Sequence, residues 1–327
     1  MGNNNYKIGI NLARKGEYDS ALKYLYKAKA EGNIDSINDI GVIFERKRDY
    51  KKALNYYVEA ASLGSSTGAF NAGNIWENGL IGKQNIQKAL SYYLQSAHNG
   101  NLDAYNKISK FYVYGVGVEK DEKKGFEFCK KGSQIEKKQH YKTSLNTMIL
   151  GYLYFEGIGV KKDVKKAIKL WEICVKQGNY SAEYNLAFAK LINGQDTDEA
   201  VETVIKLATT YEDRKAMTLL GELYEEGEYV TKDLHEAGKW WVEAAMRNNI
   251  DGILNIIRIC AEGIQSEYGL SEEAFALALQ KFKDVTNGLE EEYCAEIKAL
   301  EEIKIKYPDI DWNSLEFSQS YDTDIVC

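Results

Sequence analysis

The feature that most constrains the fold of this chain is an internal repeat with a period of 32 to 42 residues. In the clearest copies, centred on Gly41, Gly73, Gly151 and Gly221, an apolar residue precedes a small residue, and after one further residue an apolar, mostly aromatic pair follows, as in Leu220-Gly221-Glu222-Leu223-Tyr224. Four weaker copies follow the same pattern in part. The central positions of the eight copies are Gly9, Gly41, Gly73, Ser109, Gly151, Ala187, Gly221 and Ile257. Self-similarity at a fixed period is the sequence signature of a repeat architecture.

A second segment alternates with the first and begins with alanine followed by aliphatic and aromatic residues, as in Ala53-Leu54-Asn55-Tyr56-Tyr57. Apolar residues recur every three or four positions in both segments, which predicts amphipathic helices. The single proline is Pro308, so helices can run almost without interruption before it. We therefore predict an all-α fold, a solenoid of about eight antiparallel helix pairs that stack on their neighbours. The predicted organisation is a repeat array over residues 1–293, a capping helix over 294–308 and an acidic tail over 309–327.

The loops of the longer repeats contain Gly115-Val116-Gly117-Val118 and Gly157-Ile158-Gly159-Val160. Their glycines are suited to end a helix, and Asp121, Asp163 and Asp233 are predicted to cap the helices that follow. These loops follow helices and lack the strand and third glycine of a dinucleotide site. A structural role is therefore favoured over phosphate binding.

The run from Leu150 to Ala182 resembles a Sel-1-like repeat, a longer-looped relative of the tetratricopeptide repeat. The matching residues are Leu150-Gly151, Tyr154, Gly157-Ile158-Gly159-Val160, Asp163, Lys166-Ala167, Trp171 and Gly178-Asn179. The third and seventh units match well and the fourth in part. The first two units resemble plain tetratricopeptide repeats, and the eighth is degenerate. Over about residues 6–293, the resemblance implies a right-handed α-α superhelix and adaptor-type binding.

Charge and composition disfavour several classes of partner and location. The net charge of −7 argues against nucleic acid, whose phosphates require a basic face. No stretch approaches the roughly 18 consecutive apolar residues of a membrane span. The start of the chain has no signal-peptide pattern, and the five cysteines are odd in number and widely spread. We therefore expect a cytoplasmic protein with reduced thiols and no membrane or nucleic-acid partner.

The sequence contains no motif typical of a metal site or of a catalytic nucleophile. His98, His140 and His235 are far apart, and no paired cysteine motif with metal-ligand spacing is present. Signatures of serine or cysteine nucleophiles are also missing. We therefore expect no metal, no cofactor and no catalytic residue.

The resemblance also places a binding groove, because the first helix of each pair lines the concave face of related tetratricopeptide solenoids. Residues at offsets −3, +1 and +4 from the small position are expected to face inward, with +5 at the margin. The candidate groove residues are Asn38, Phe70, Asn74, Asn106, Lys110, Tyr114, Met148, Tyr152, Phe155, Tyr184, Phe188, Glu222 and Glu225. Asparagines can hydrogen-bond an extended peptide, and aromatic residues can anchor its side chains. The competing interpretation is that the aromatic residues pack between adjacent repeats.

The function favoured by these observations is a non-catalytic adaptor or scaffold, expected to be monomeric, that binds a protein or peptide. A narrower hypothesis is an immunity or inhibitor protein that neutralises a toxin or effector. Residues 182–327 have 13 Lys/Arg against 31 Asp/Glu, a net charge of −18 that would suit a basic toxin. Two more hypotheses are a peptide-sensing regulator and an enzyme, and the lack of catalytic motifs disfavours the enzyme.

Overall fold

The structure is a computed structural model that describes residues 2–138, 144–271, 273–289, 293–310 and 312. Within these ranges the chain is all-α, with seventeen α-helices, one 3₁₀ turn and no β-strand. This confirms the predicted all-α helical repeat fold, and sixteen of the helices form eight consecutive pairs. The chain divides into two compact units, an N-terminal unit over residues 1–182 and a C-terminal unit over residues 183–327.

The helices of the N-terminal unit are α1 (Gly2–Arg14), α2 (Tyr18–Ala30), α3 (Ile34–Arg46), α4 (Tyr50–Ser62), α5 (Ser66–Glu77), α6 (Ile86–His98), α7 (Leu102–Tyr114), α8 (Glu122–Lys138), α9 (Leu145–Glu156) and α10 (Val164–Lys176). Those of the C-terminal unit are α11 (Ser181–Ile192), which belongs to it from Glu183 on, α12 (Thr197–Thr209), α13 (Arg214–Glu226), α14 (Leu234–Met246), α15 (Ile250–Ala261), α16 (Ala274–Thr286) and α17 (Cys294–Lys306), with a 3₁₀ turn at Gln265–Tyr268. Odd-numbered helices up to α15 are the first helices of the pairs, and even-numbered helices are the second.

In five of the pairs a glycine of the first helix meets a large side chain of the second helix. A Cβ atom added to Gly41 would lie 2.7 Å from the Tyr57 ring, and one added to Gly221 would lie 2.5 Å from the Trp241 indole nitrogen. Tyr57 and Trp241 are fully buried. The small residue therefore allows an aromatic ring to pack directly on the backbone of the neighbouring helix.

The polar atom of each buried ring is satisfied by the same first helix. The indole of Trp171 donates to the Met148 carbonyl at 3.0 Å, and that of Trp241 donates to the Thr218 carbonyl at 3.3 Å. In the second pair the Tyr57 hydroxyl donates instead to the Glu45 carboxylate. Burying a tyrosine or tryptophan without such a partner would cost free energy, so each ring type requires its own acceptor.

At the predicted loops, glycines end the preceding helices and aspartates cap the helices that follow. Gly157 ends α9 in the left-handed conformation at φ 80°, and the Asp163 side chain accepts a hydrogen bond from the Lys166 amide at 2.9 Å. Asp121 and Asp233 accept equivalent bonds at the starts of α8 and α14. The three predicted caps are confirmed, and each satisfies a backbone donor that the first helical turn leaves unpaired.

The last repeat packs against further residues near the C-terminus. Helix α17 contacts α15, and its Leu300 is buried in the same apolar cluster as Ile253. Trp312 packs edge-on against Phe275 with ring centroids 5.4 Å apart. Residue 311 and residues 313–327 of the predicted acidic tail lie outside the described residues, as does His140. None of the described helices is long and apolar enough to cross a membrane.

Candidate functional site

Two of the predicted groove residues form an exposed aromatic surface on α7 and α9, and these two helices contact each other directly. The side chains of Tyr114 and Tyr152 are 61% and 40% exposed, although both are large and partly apolar. Partial burial, followed by the nearby Tyr114 and Glu156, raises the pKa of Tyr152. The two tyrosines are therefore neighbours on one face, which we call the tyrosine surface.

Three further predicted residues lie on the same two helices. Lys110 is exposed, and Asn106 and Met148 are half-buried. The Asn106 side-chain oxygen is buried and, within the described part of the chain, accepts no hydrogen bond.

Asn38, Phe70 and Asn74 contact other residues of the N-terminal unit. Asn38 is only 9% exposed and accepts a hydrogen bond from the Asn71 amide at 3.0 Å. Asn74 accepts from the Tyr93 hydroxyl at 2.7 Å, and the Phe70 ring packs on Tyr93 with centroids 5.3 Å apart. These three residues connect neighbouring helices, and the side-chain oxygens of Asn38 and Asn74 already accept hydrogen bonds in the folded chain.

Phe155 and Glu225 require a correction to the predicted groove. Phe155 is 7% exposed and packs against Trp171 with ring centroids 5.7 Å apart, so it belongs to the core. Glu225 accepts from the Arg258 guanidinium at 2.9 Å and from the Tyr268 hydroxyl at 2.6 Å. Both side chains are used inside the fold, and a partner cannot reach Phe155 without unpacking α9.

The remaining predicted residues surround a pocket between α11 and α13 in the C-terminal unit. Its volume is about 420 Å³, and Phe188 and Glu222 both line it. The other lining residues are Leu191, Ile192, Leu219, Leu223, Glu226, Glu228 and Tyr229. Tyr184 stacks on Phe188 at a centroid distance of 6.1 Å and supports the aromatic wall. We call this space the α11–α13 pocket.

The electrostatics of this pocket are one-sided. Burial, followed by the negative charges of Asp251 and Glu226, raises the pKa of Glu222 to about 7, against a smaller opposing effect of a hydrogen bond with Asn255. Among the described residues that line the pocket, three are carboxylates and none is basic. A half-buried carboxylate in such a setting is held without a counter-charge, which disfavours its ionised form.

A second pocket, not predicted from the sequence, lies between α1 and α3 in the N-terminal unit. It has a volume of about 310 Å³, and Ile10 and Val42 form part of its apolar wall. Arg14 and Arg46 line it as well, and both are at least partly exposed. We call it the α1–α3 pocket.

The two pockets share a register. Residue offsets are counted from the small position of each first helix. Each pocket is lined by the residues at offsets +1, +4 and +5 of one first helix (α1 or α11). It is also lined by the residues at offsets −2, +1, +2 and +5 of the first helix in the next pair (α3 or α13). This register is the signal that could have identified the α1–α3 pocket in advance.

The cysteines and acidic residues offer little for catalysis or metal binding. Burial raises the pKa values of Cys174 and Cys260 to about 11, so both thiols are protonated near neutral pH and are poor nucleophiles. Within the ranges that the structure describes, no group of three or more His, Cys, Asp or Glu residues could hold a metal ion.

The repeats match the sequence model of the Sel1 repeat at residues 2–33, 41–65, 66–101, 102–134, 148–179 and 214–249. These six matches include more than half of the 327 residues, and the chain belongs to the Sel1 repeat family. Proteins of this family are helical repeat proteins that generally act as protein-interaction scaffolds.

The family match also corrects the interpretation of the first two units. Residues 2–33 and 41–65 match the Sel1 repeat, so their short loops do not separate them as plain tetratricopeptide repeats. The sixth pair (α11 and α12) is not among the six matches, and its small position is Ala187 instead of glycine. Helix packing at the small position, more than loop length, therefore relates these units.

The solved structures that are similar to this chain include two helical repeat proteins. A Sel1 repeat protein from Oxalobacter formigenes is 23% identical, with 73% of this chain and 96% of that chain covered and a TM-score of 0.59. The protective antigen c5321 of uropathogenic Escherichia coli, which has an SLR fold, is 20% identical, with 99% and 73% covered and a TM-score of 0.67. At these identities the likeness concerns the fold alone.

Proposed function

We propose that this protein is a non-catalytic scaffold that binds a protein or peptide through the exposed faces of its first helices. The observation on which the proposal depends is that exposed tyrosines lie on first helices of the N-terminal unit and that each unit has a pocket between two first helices. Tyr114 and Tyr152 offer apolar area with a polar tip, the type of side chain enriched at protein interfaces. The α1–α3 and α11–α13 pockets add concave sites at one shared register of the repeat.

The tyrosine surface supports recognition of an extended segment. Tyr114 and Tyr152 are exposed, and the exposed Lys110 lies on the same helix as Tyr114. The tyrosine rings would cover apolar side chains of a bound peptide, while their hydroxyl groups would hydrogen-bond its polar groups. This combination uses groups that the fold itself leaves open.

The double substitution Tyr114→Ala with Tyr152→Ala tests the proposal. The tagged protein would be used for affinity capture from the lysate of its host, with bound proteins quantified by mass spectrometry. We expect one or a few proteins to be enriched by the unmodified chain and reduced at least about tenfold by the double variant, as is typical when aromatic anchors are removed. Helix content and melting temperature should stay unchanged, since both side chains are exposed.

A matched control comes from two exposed tyrosines that do not lie on first helices. Tyr26 on α2 is 40% exposed, the same fraction as Tyr152, and Tyr180 in the loop after α10 is 69% exposed. Tyr26→Ala with Tyr180→Ala should leave the captured proteins unchanged. Equal capture by both double variants, or no specific capture by the unmodified chain, would contradict the proposal.

A narrower candidate function is neutralisation of a basic toxin or effector. The observation in its favour is the net charge of −18 over residues 182–327, which would attract a positively charged protein. A tight complex with one copy of each protein, formed with the product of an adjacent gene, would support this function. Capture of several unrelated proteins would favour a general scaffold instead.

A further inference from the structure

The α11–α13 pocket has two kinds of lining that one type of side chain can match. Its wall is apolar, with Leu191, Leu219 and Leu223 buried and Phe188 half-buried. Its carboxylates are Glu222, which is half-buried, and Glu226 and Glu228, which are exposed. We infer that this pocket receives the side chain of an arginine or lysine from a segment of the partner protein. The inference rests on the proposed function and specifies the chemistry of the partner at one site.

The apolar wall explains why a long basic side chain fits better than a small cation. The methylene groups of arginine or lysine can pack on leucine and phenylalanine while the charged end stays near oxygen acceptors. A guanidinium group also stacks on aromatic rings and donates up to five hydrogen bonds. The three carboxylates supply acceptors in a space of about 420 Å³.

The negative charge of the pocket is not required by the fold. In the α1–α3 pocket the positions equivalent to Glu222 and Glu226 are Val42 and Arg46, and the helices pack in the same register. An apolar or a basic residue is therefore compatible with the structure at these positions. The carboxylates repel one another in the free protein, and a bound cation would relieve that repulsion.

Charge also determines which kind of occupant the pocket favours. An acidic segment would bring further negative charge to a site where no lining residue among those described is basic. A purely apolar side chain would exclude water from the carboxylates of the pocket and offer them no counter-charge, which is costly. Only a cationic side chain satisfies the wall and the carboxylates together.

The test begins with selection from a displayed library of random twelve-residue peptides on the full chain. A selected peptide is then synthesised in two forms, with arginine or with citrulline, its neutral isostere, at the selected basic position. We expect the citrulline form to bind about 10- to 100-fold more weakly, as for loss of charged hydrogen bonds. On the variant Glu222→Gln with Glu226→Gln, the two forms should bind equally.

The matched control removes two negative charges elsewhere in the C-terminal unit. Glu202 on α12 and Glu302 on α17 are exposed, and neither lines the pocket. Glu202→Gln with Glu302→Gln should preserve the preference for arginine over citrulline. Selected peptides without a basic residue, or a preference that survives the pocket variant, would overturn the inference and leave the proposed function standing. Selection of no peptide at all would count against the proposed function as well as the inference.

Discussion

The α1–α3 pocket and the α11–α13 pocket occupy the same register of the repeat, yet they differ in charge. The former is lined by two arginines and one aspartate, and the latter by three glutamates. At offset +5 of the two first helices that form it, the former has Arg14 and Arg46. At the equivalent positions the latter has Ile192 and Glu226, with Glu222 at offset +1 of the same helix as Glu226. The comparison shows that one backbone position presents either charge within a single chain.

The packing beneath both pockets is of one kind. Gly41 and Tyr57 meet beneath α3, and Gly221 and Trp241 meet in the same way beneath α13. The ring differs, and so does its polar partner, but in each case the small residue lets the ring contact the helix backbone. The scaffold is therefore set by the small and aromatic positions, whereas offsets +1 and +5 are free to determine what each pocket can bind.

The largest effect is expected from Gly221→Val, which tests whether the scaffold is common to both pockets. Even a Cβ atom at this position would lie 2.5 Å from the Trp241 indole nitrogen, so α13 and α14 would have to separate. We expect a loss of about 3 kcal/mol in the free energy of unfolding, at the upper end for an overpacked core. Denaturant titration followed by tryptophan fluorescence measures it.

Gly41→Val is the counterpart in the N-terminal unit, where a Cβ atom would lie 2.7 Å from the Tyr57 ring. A similar loss would show that the two units depend on the same helix crossing. In each unit, shrinking the ring should recover part of the loss, as in Gly221→Val with Trp241→Leu. A variant at either glycine that is as stable as the unmodified protein would break the comparison.

A smaller effect is expected from the charge difference at offset +1, where Glu222 corresponds to Val42. The pKa of Glu222 is raised to about 7 from its usual 4.5, mainly by burial. The folded chain therefore retains a proton that the unfolded chain has already released between these two pH values. Stability should decrease as pH rises from about 4.5 to 7, by about 2 kcal/mol after allowance for partial exposure.

Glu222→Gln should remove this pH dependence, because the amide is neutral throughout. Denaturant midpoints at pH 5 and pH 8 would then converge toward each other, and the variant should be the more stable chain at pH 8. Glu202→Gln is the matched control, since Glu202 is exposed on α12, does not line the pocket and should have little effect. A pH dependence that is identical in Glu222→Gln and the unmodified chain would show that other groups cause it.

The repeat pattern predicted the fold well because it depends on local and strictly periodic features. Small residues, aromatic residues and caps such as Asp163 and Asp233 each act within one helix pair, so their spacing is visible in the sequence. The family resemblance of the central units was predicted for the same reason. The extension of the Sel1 pattern to the first two units was missed because loop length was taken as the distinguishing feature.

The candidate site was predicted only in part, and helix geometry explains the pattern. At about 100° per residue, offset +4 lies only about 40° from the small position that faces the second helix. Phe155 and Glu225 at this offset are consequently used by the core and by an internal ion pair. Offsets +1 and +5 lie about 100° and 140° away, where Tyr152 and Tyr114 are exposed. Contacts between repeats, such as Asn71 with Asn38, cannot be derived from the period alone.

The smallest effect concerns the starts of the two helices that bear the pockets. Asn33 caps α3 by accepting from the Ser36 amide at 2.7 Å, and Asp213 caps α13 by accepting from the Lys215 and Ala216 amides at 3.0 and 2.9 Å. Asn33→Ala and Asp213→Ala should each cost about 1 kcal/mol of unfolding free energy.

Asp213→Asn should cost much less than Asp213→Ala. Asparagine keeps a side-chain oxygen that can accept the same hydrogen bonds, and its neutral amide removes one negative charge from the acidic C-terminal unit. If Asp213→Asn were instead as damaging as Asp213→Ala, the carboxylate charge would be needed at the start of α13, and the two helix starts would differ in kind as the two pockets do.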